Sequence, residues 1–435
     1  MLIAGVILAA TYVGIAFTRL PRVNLDRPAA ALTGALLMVL AGVLTFPEAV
    51  AAIDFNTLAL LLGMMLFVVV LQRGGFFTLL ATWSVTLAGT PGKLLVSVTV
   101  ATALCSAFLV NDVVVLLFTP VIIQACRMKR LNPVPYLIGE AMASNIGSTA
   151  TIVGNPQNML IGVTTGISFS KFFAHLAPVA AVSTLILVGV LWAFYRRALV
   201  SLPAGGADAV VGEPAPARPA GLRTAGLGVP GAAAAERRVL KRAVPILALV
   251  IAAFFASSTL GFSIPLIALT AGVAAMLVSG IKPSEVIRGV DWVLLLFFGG
   301  LFVVIGGARQ AGLLDALLQR VAISPDAQGI LSIHLFSAIV SQLVSNVPLT
   351  VLMVPLLERV PGDTLWISLA AGATLGGNAT IIGAVANIIV AEQAYREGVG
   401  IQFMEFFKVG LVVTALTLAA SMGILLLEFQ WGLLR

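Results

Sequence analysis

Residues 144–162 read SNIGSTATIVGNPQNMLIG. They lie inside a hydrophobic span, yet Ser144, Asn145, Ser148, Thr149, Thr151, Asn155, Gln157 and Asn158 are polar, Gly147 and Gly154 are flexible, and Pro156 interrupts a helix. Hydrocarbon supplies no hydrogen-bond partners, so a segment this polar persists at membrane depth only where it faces protein or a water-filled cavity. The same pattern returns at 375–389, LGGNATIIGAVANII, at a constant offset of 229 residues. Gly147 falls on Gly376, Thr151 on Thr380, Gly154 on Gly383 and Asn158 on Asn387. Two interrupted apolar segments at corresponding positions of two halves mark the binding site of a secondary transporter.

Composition agrees with a membrane setting. Hydrophobic residues make up 60% of the 435, charged residues 10%, and the mean hydropathy is +1.09. Soluble domains of this length are not so apolar. Runs of about 20 apolar residues, the length that crosses a ~30 Å hydrocarbon core, recur from end to end. The net charge of +7 follows from topology and not from nucleic-acid binding, because the basic residues cluster in short loops. Cys105 and Cys126 form no disulfide framework, and neither they nor the isolated His175 and His334 have metal-ligand spacing. The segment MLIAGVILAATYVGIAFTRL reads as a first transmembrane helix and not as a cleaved leader.

In chain order, hydropathy predicts spans at 2–18, 28–46 and 55–71, an amphipathic piece at 75–89 and a hairpin at 93–125 with a polar tip at Asn111-Asp112. A broken span at 135–163 and a span at 171–195 complete the first half. Residues 198–238, rich in Ala, Gly and Pro, read as a flexible linker between repeats at 1–197 and 239–435. The second half repeats the order: spans at 241–260, 263–281 and 291–307, an amphipathic piece at 310–322, a hairpin at 328–357 tipped by Asn346, a broken span at 363–393 and a last helix at 403–428. PEAVAAIDF from Pro47 also matches PSEVIRGVDW from Pro283, which brings Asp54 onto Asp291 and Gly63 onto Gly300. The expected fold class is therefore an all-α polytopic membrane protein of two inverted-topology repeats. Each repeat has five spans, one of them broken, and one re-entrant helical hairpin. Placing the Lys/Arg-rich loops in the cytoplasm puts the linker inside and both termini outside a multi-pass inner or plasma membrane protein.

A broken helix frees carbonyls at one half-helix end and N–H groups at the start of the other. Carbonyl, Ser, Thr and Asn oxygens suit a hard cation such as sodium, whereas helix N-termini suit an anion. No Lys or Arg falls within a hairpin tip or a break, so an anion is expected to rely on amide and hydroxyl donors and on a co-bound cation. Asp112, paired in the repeat with Val347, is expected to be the deepest carboxylate and to ligate a cation or carry a proton; capping a half-helix is the structural alternative. Glu140 and Glu392 are expected to be solvated near the inner face.

SNIGSTATIVGNPQNMLIG, NDVVVLLFTP, SNVPLTVLMVP and GGNATIIGAVANIIVAEQAYREGVGIQFMEFF resemble the ion transporter superfamily. It includes arsenite efflux permeases, the melanosomal P protein, D-type sodium/proton antiporters and divalent anion/sodium symporters. The resemblance is greatest to the P-protein-like and general anion permease branch, and it covers nearly all of the chain outside the linker. It implies an inverted-repeat fold, often a homodimer, in which hairpins and broken helices move like an elevator against a scaffold. It places Asn111, Ser144, Asn145, Gly147 and Thr149 in one half-site and Ser345, Asn346, Thr350, Gly377, Asn378 and Thr380 in the other. Where sodium is the coupling ion, it would lie at Asn111, Asn145, Gly147, Asn346 and Asn378. The tips Val110-Asn111-Asp112 and Ser345-Asn346-Val347 depart from the Ser-Asn-Thr signature of dicarboxylate symporters. Together with the residue reading, the resemblance leads to the expectation of a non-enzymatic secondary active transporter of a small anion or oxyacid, coupled to Na+ or H+. A Na+/H+ antiporter and an arsenite/antimonite efflux permease are the alternatives.

Overall fold

Local sequence rules set the helix boundaries. In the computed structural model, which describes residues 1–16, 26–86, 88–200, 232–314 and 324–434, the described chain is helical with no strand. The first half comprises α1 (Leu2–Ala16), α2 (Arg27–Leu40), α3 (Phe46–Ala51), α4 (Phe55–Arg73), α5 (Phe76–Thr86), α6 (Pro91–Phe108), α7 (Asn111–Met128), α8 (Val134–Ser148), α9 (Pro156–Thr165) and α10 (Phe169–Val200). The second comprises α11 (Ala232–Phe255), α12 (Ser257–Leu260), α13 (Ile264–Val278), α14 (Pro283–Arg288), α15 (Trp292–Gln310), α16 (Ala327–Val344), α17 (Asn346–Leu357), α18 (Thr364–Gly376), α19 (Val385–Arg396) and α20 (Phe403–Gln430). Asp26, Asp54, Asp291 and Asp326 each cap a helix by accepting a backbone N–H of its first turn, a contact removed at a cost of about 1 kcal/mol.

Seven described helices, α4, α6, α7, α10, α15, α16 and α20, are long and apolar enough to cross a membrane. The two expected hairpins are α6–α7 and α16–α17, and the two broken spans are α8–α9 and α18–α19. The expected linker is bounded by helix on both sides, since α10 runs to Val200 and α11 starts at Ala232. Its remainder, 201–231, lies outside the described residues, as do 17–25 of the first basic loop and 315–323 of the second amphipathic piece.

Contacts between the halves are reciprocal. Helix α13 packs on α4 and α2 packs on α15, while α6 packs on α8 as α16 packs on α18. Both α10–α8 and α20–α18 are in contact, and α10 meets α20 across the molecule. Small residues allow this close approach. A Cβ on Gly63 would stand 2.4 Å from the Ala268 backbone in α13, and one on Gly300 would stand 2.8 Å from the Ala31 backbone in α2. The aligned glycines thus do the same work in each half.

Candidate functional site

Both broken helices are closed by the same pair of hydrogen bonds. Asn158 Nδ2 donates to the Ser148 and Thr151 carbonyls at 3.1 and 3.0 Å, satisfying acceptors that the end of α8 leaves open. Asn387 Nδ2 donates to the Gly377 and Thr380 carbonyls at 2.8 and 3.0 Å, at positions related by the same offset of 229 residues. Asn155 Oδ1 additionally caps α9 by accepting the Asn158 N–H, and its counterpart Ala384 cannot do this. The breaks are therefore ordered polar turns, fully hydrogen-bonded at these carbonyls inside an apolar body.

The hairpin tips dock on these breaks. The Asn111 N–H donates to the Gly154 carbonyl at 3.0 Å, Ser144 Oγ to the Asn111 carbonyl at 3.3 Å, and Thr151 Oγ1 to the Ala107 carbonyl. In the second half Gln342 Nε2 donates to the Gly376 carbonyl at 2.8 Å, and Thr380 Oγ1 donates to Gln342 Oε1 at 3.2 Å. Backbone proximity requires glycine at two aligned positions: a Cβ on Gly147 would fall 2.0 Å from the Ala103 carbonyl, and one on Gly376 would fall 2.7 Å from Ala338 Cα. A Cβ on Gly383 would meet Gln342 Oε1 at 2.4 Å.

Asn145 joins the two halves. Its Nδ2 donates to Asn378 Oδ1 at 2.9 Å and to Asn387 Oδ1 at 3.0 Å, and its Oδ1 accepts from Asn111 Nδ2 at 3.4 Å. Nearby, Gln157 Nε2 donates to Thr374 Oγ1 at 3.2 Å. Asn111 Oδ1 and Asn346 Oδ1 are buried without a hydrogen-bond partner, so one acceptor oxygen on each tip is free for a cation or a ligand donor. No group of three His, Cys, Asp or Glu side chains suited to a resident metal occurs among the described residues.

A cavity of about 190 Å³ opens over this network. Asn111, Asp112, Asn145, Ser345 and Asn346 line it, joined by Arg27, Gln157, Asp291 and Phe297. The other expected site residues stand behind this wall. Ser144, Thr149, Thr151, Gly154, Asn158, Gly377, Asn378, Thr380 and Asn387 build the breaks, and Thr350 bonds back to the Asn346 carbonyl of its own helix at 2.9 Å. Ser345 adopts φ = 72°, a strained left-handed value for a non-glycine residue, which turns the chain between α16 and α17.

Two expectations change. Arg27, at the start of α2, brings a guanidinium to the cavity, and its Nη1 donates to Ser345 Oγ at 3.4 Å. Glu140 has 0% exposure and is buried more deeply than Asp112, with both carboxyl oxygens 3.0 and 3.1 Å from Thr119 Oγ1. Glu392 is exposed as expected and pairs with Arg396 at 2.5 Å. Arg27 escapes a motif search because it sits in a basic loop whose charge already has a topological explanation. Tyr12 is a further participant without a sequence signal: its hydroxyl donates to the Pro348 carbonyl at 2.7 Å and ties α1 to the tip of α17.

A second cavity of about 630 Å³ lies beyond the far ends of α9, α15 and α17, lined by Asp54, Asn56, Thr164, Arg309, Gln310 and Glu358 among others. Arg309 Nη1 pairs with Glu358 at 3.2 Å, and Gln310 Nε2 donates to Glu48 Oε1 at 2.9 Å along its rim. Between the cavities, α9 contributes Asn158 and Met159 and α17 contributes Pro348, Leu349 and Thr350, all buried.

A family model described as "Citrate transporter" matches residues 12–364. An uncharacterized transporter of Mycobacterium tuberculosis is 34% identical over 98% of this chain and 99% of its own length. The P protein of Sus scrofa is 30% identical over 98% of this chain and 59% of its own length. Among solved structures, the Alcanivorax borkumensis YdaH transporter superposes with a TM-score of 0.60 at 15% identity, covering 99% of this chain and 97% of that one. The last similarity is one of fold.

Proposed function

The chain belongs to the citrate transporter family of the ion transporter superfamily, and from that footing we propose that it moves a small carboxylate-bearing anion or oxyacid through the membrane by alternating access, coupled to Na+ or H+. The observation that carries this reading is the convergence of both hairpin tips and both broken helices on one cavity, into which Asn111, Asp112, Asn145, Gln157, Ser345 and Asn346 bring polar groups. Family membership makes it a multi-pass membrane transporter of the citrate or anion permease type.

Charge within the cavity favours coupling. One guanidinium, Arg27, faces two carboxylates, Asp112 and Asp291, so an arriving anion adds to a negative surplus. Two like charges 4 Å apart repel by about 4 kcal/mol at an effective dielectric of 20. A proton on a carboxylate or a sodium ion on the free Asn111 and Asn346 oxygens offsets that repulsion and travels with the substrate. Each hairpin packs on the broken span of its own half, and α7 also packs on α19 and α17 on α9, which supports the hairpins and broken spans moving together as one body against α2, α4, α13 and α15. The reciprocal contacts support inverted repeats, and the Lys/Arg-rich loops support a cytoplasmic linker with both termini outside. A homodimer follows from the superfamily resemblance.

The test is uptake into proteoliposomes of labelled citrate, malate, phosphate, sulfate and arsenite under an imposed sodium or proton gradient. Gradient-dependent movement of one of these is the expected result. Sodium-for-proton exchange with no anion moved would replace this reading with an antiporter built on Asp112.

A further inference from the structure

Arg27 shares the cavity with Asp112 and Asp291 but pairs with neither. No carboxylate lies within 4.0 Å of its guanidinium among the described residues, and its one hydrogen bond is the long contact to the neutral Ser345 hydroxyl. Its Nε is buried and has no partner. The adjacent Asp26 is occupied as the cap of α2, its Oδ1 accepting the Ala29 N–H at 2.9 Å. A partly buried guanidinium that keeps a donor unmatched is in an unfavourable state, and a bidentate oxyanion relieves it. An oxyanion entering the cavity would supply that acceptor.

The surroundings specify where such a group sits. Ser345 and the first turn of α17 meet Arg27 at the cavity wall, and the N–H groups of Asn346 and Val347 have no partner within their own helix. We infer that Arg27, Ser345 and the N-terminus of α17 form the docking point for an oxyanion group of the substrate, a planar carboxylate fitting the guanidinium fork, and that Arg27 determines the preference for anions. The inference rests on the transport reading above and deepens it. It also gives substrate a mechanical role: Arg27 stands on α2, which packs on α1 and α15, whereas Ser345 tips a hairpin. An anion held by both links the two bodies.

The experiment uses the full chain, purified and reconstituted, with Arg27→Gln and Arg27→Lys. Citrate, malate, phosphate, sulfate and arsenite are titrated while the melting temperature is followed, and uptake of the anion that stabilises the wild type is measured as KM and maximal rate. The expected result is an apparent Kd and KM at least ten-fold higher in Arg27→Gln. Arg27→Lys keeps the charge but loses the fork, and is expected to fall between the two. Unchanged Kd and KM in Arg27→Gln, with the wild type transporting normally, would overturn the docking point and leave the transport reading intact. Should Arg27→Gln fail to fold, Arg27→Lys decides, because wild-type affinity in that variant equally removes the guanidinium from recognition. A wild type that binds and moves none of the five anions would overturn both.

Discussion

At the scale of single residues, the polar network centres on Asn145, and Asp112 is one of three charged residues that line its cavity. Asn145 uses its side chain on three partners, so Asn145→Ala leaves Asn378 Oδ1 and Asn387 Oδ1 buried without their donor. Each orphaned group costs about 1–3 kcal/mol; a lowered melting temperature and lost uptake are expected, and a wild-type melting curve would show that water replaces the amide. Asp112→Asn removes the carboxylate with little change of shape. Uphill, gradient-driven uptake should be abolished while downhill exchange of substrate across the membrane persists; coupling that survives would take Asp112 out of the mechanism. The asparagines at 111, 145, 346, 378 and 387 were legible in the sequence because polar residues beside glycine and proline in an apolar run have few structural excuses. Arg27 and Glu140 were not, since the burial of a charged side chain depends on partners such as Ser345, 318 positions away, and Thr119. Hydropathy contains no such information.

Elements tell a similar story at larger size. Hairpins and broken spans were readable from where Pro, Gly and Asn interrupt apolar runs, and the ends of α7, α9 and α18 fall near those interruptions. What the sequence could not show is that Asn158 and Asn387 hold the breaks together instead of facing the cavity, because the identity of a hydrogen-bond acceptor is a property of the folded turn. Their shared role is testable. Asn158→Leu and Asn387→Leu each remove two hydrogen bonds to backbone carbonyls of a break, and Asn387→Leu also removes an acceptor of Asn145, so a lower melting temperature is expected from both and the larger drop from Asn387→Leu. A loss in only one would mean that Asn155, present in one break alone, breaks the symmetry. The rim element α3 responds to acid. Hydrogen bonds from the Thr45 N–H, the Thr45 hydroxyl and Gln310 hold the Glu48 carboxyl below its ordinary range. Their contribution is complete above the ordinary carboxylate range and is lost as the pH falls through the lowered value. Glu48→Gln should therefore flatten the acid limb of a stability profile measured between neutral pH and the onset of acid unfolding.

For the whole molecule, the two halves exchange contacts so regularly that neither is complete alone: α2 needs α15 and α4 needs α13. Internal duplication made this arrangement legible, since PEAVAAIDF and PSEVIRGVDW already align Asp54 with Asp291, the caps that stand at opposite cavities. The segment joining the halves carries no such pattern. Deleting 205–230 is expected to leave uptake rates within about two-fold of wild type, because the entropic cost of closing a connection changes only slowly with its length; lost transport in a correctly inserted protein would assign that segment a function.

The two cavities also shape the electrical landscape. Along α9 only Asn158 and Met159 separate the nearest lining residues, Gln157 and Leu160, and along α17 only residues 348–350 separate Val347 from Val351. At 1.5 Å per residue these partitions are about 4.5–6 Å along the helix axes. Under the alternating-access reading, with the cavities opening to opposite faces, the transmembrane voltage would fall mainly across that thin septum, and an ion displaced by one helical turn would cross most of the field. Each elementary charge then exchanges about 2.3 kcal/mol per 100 mV for a short stroke.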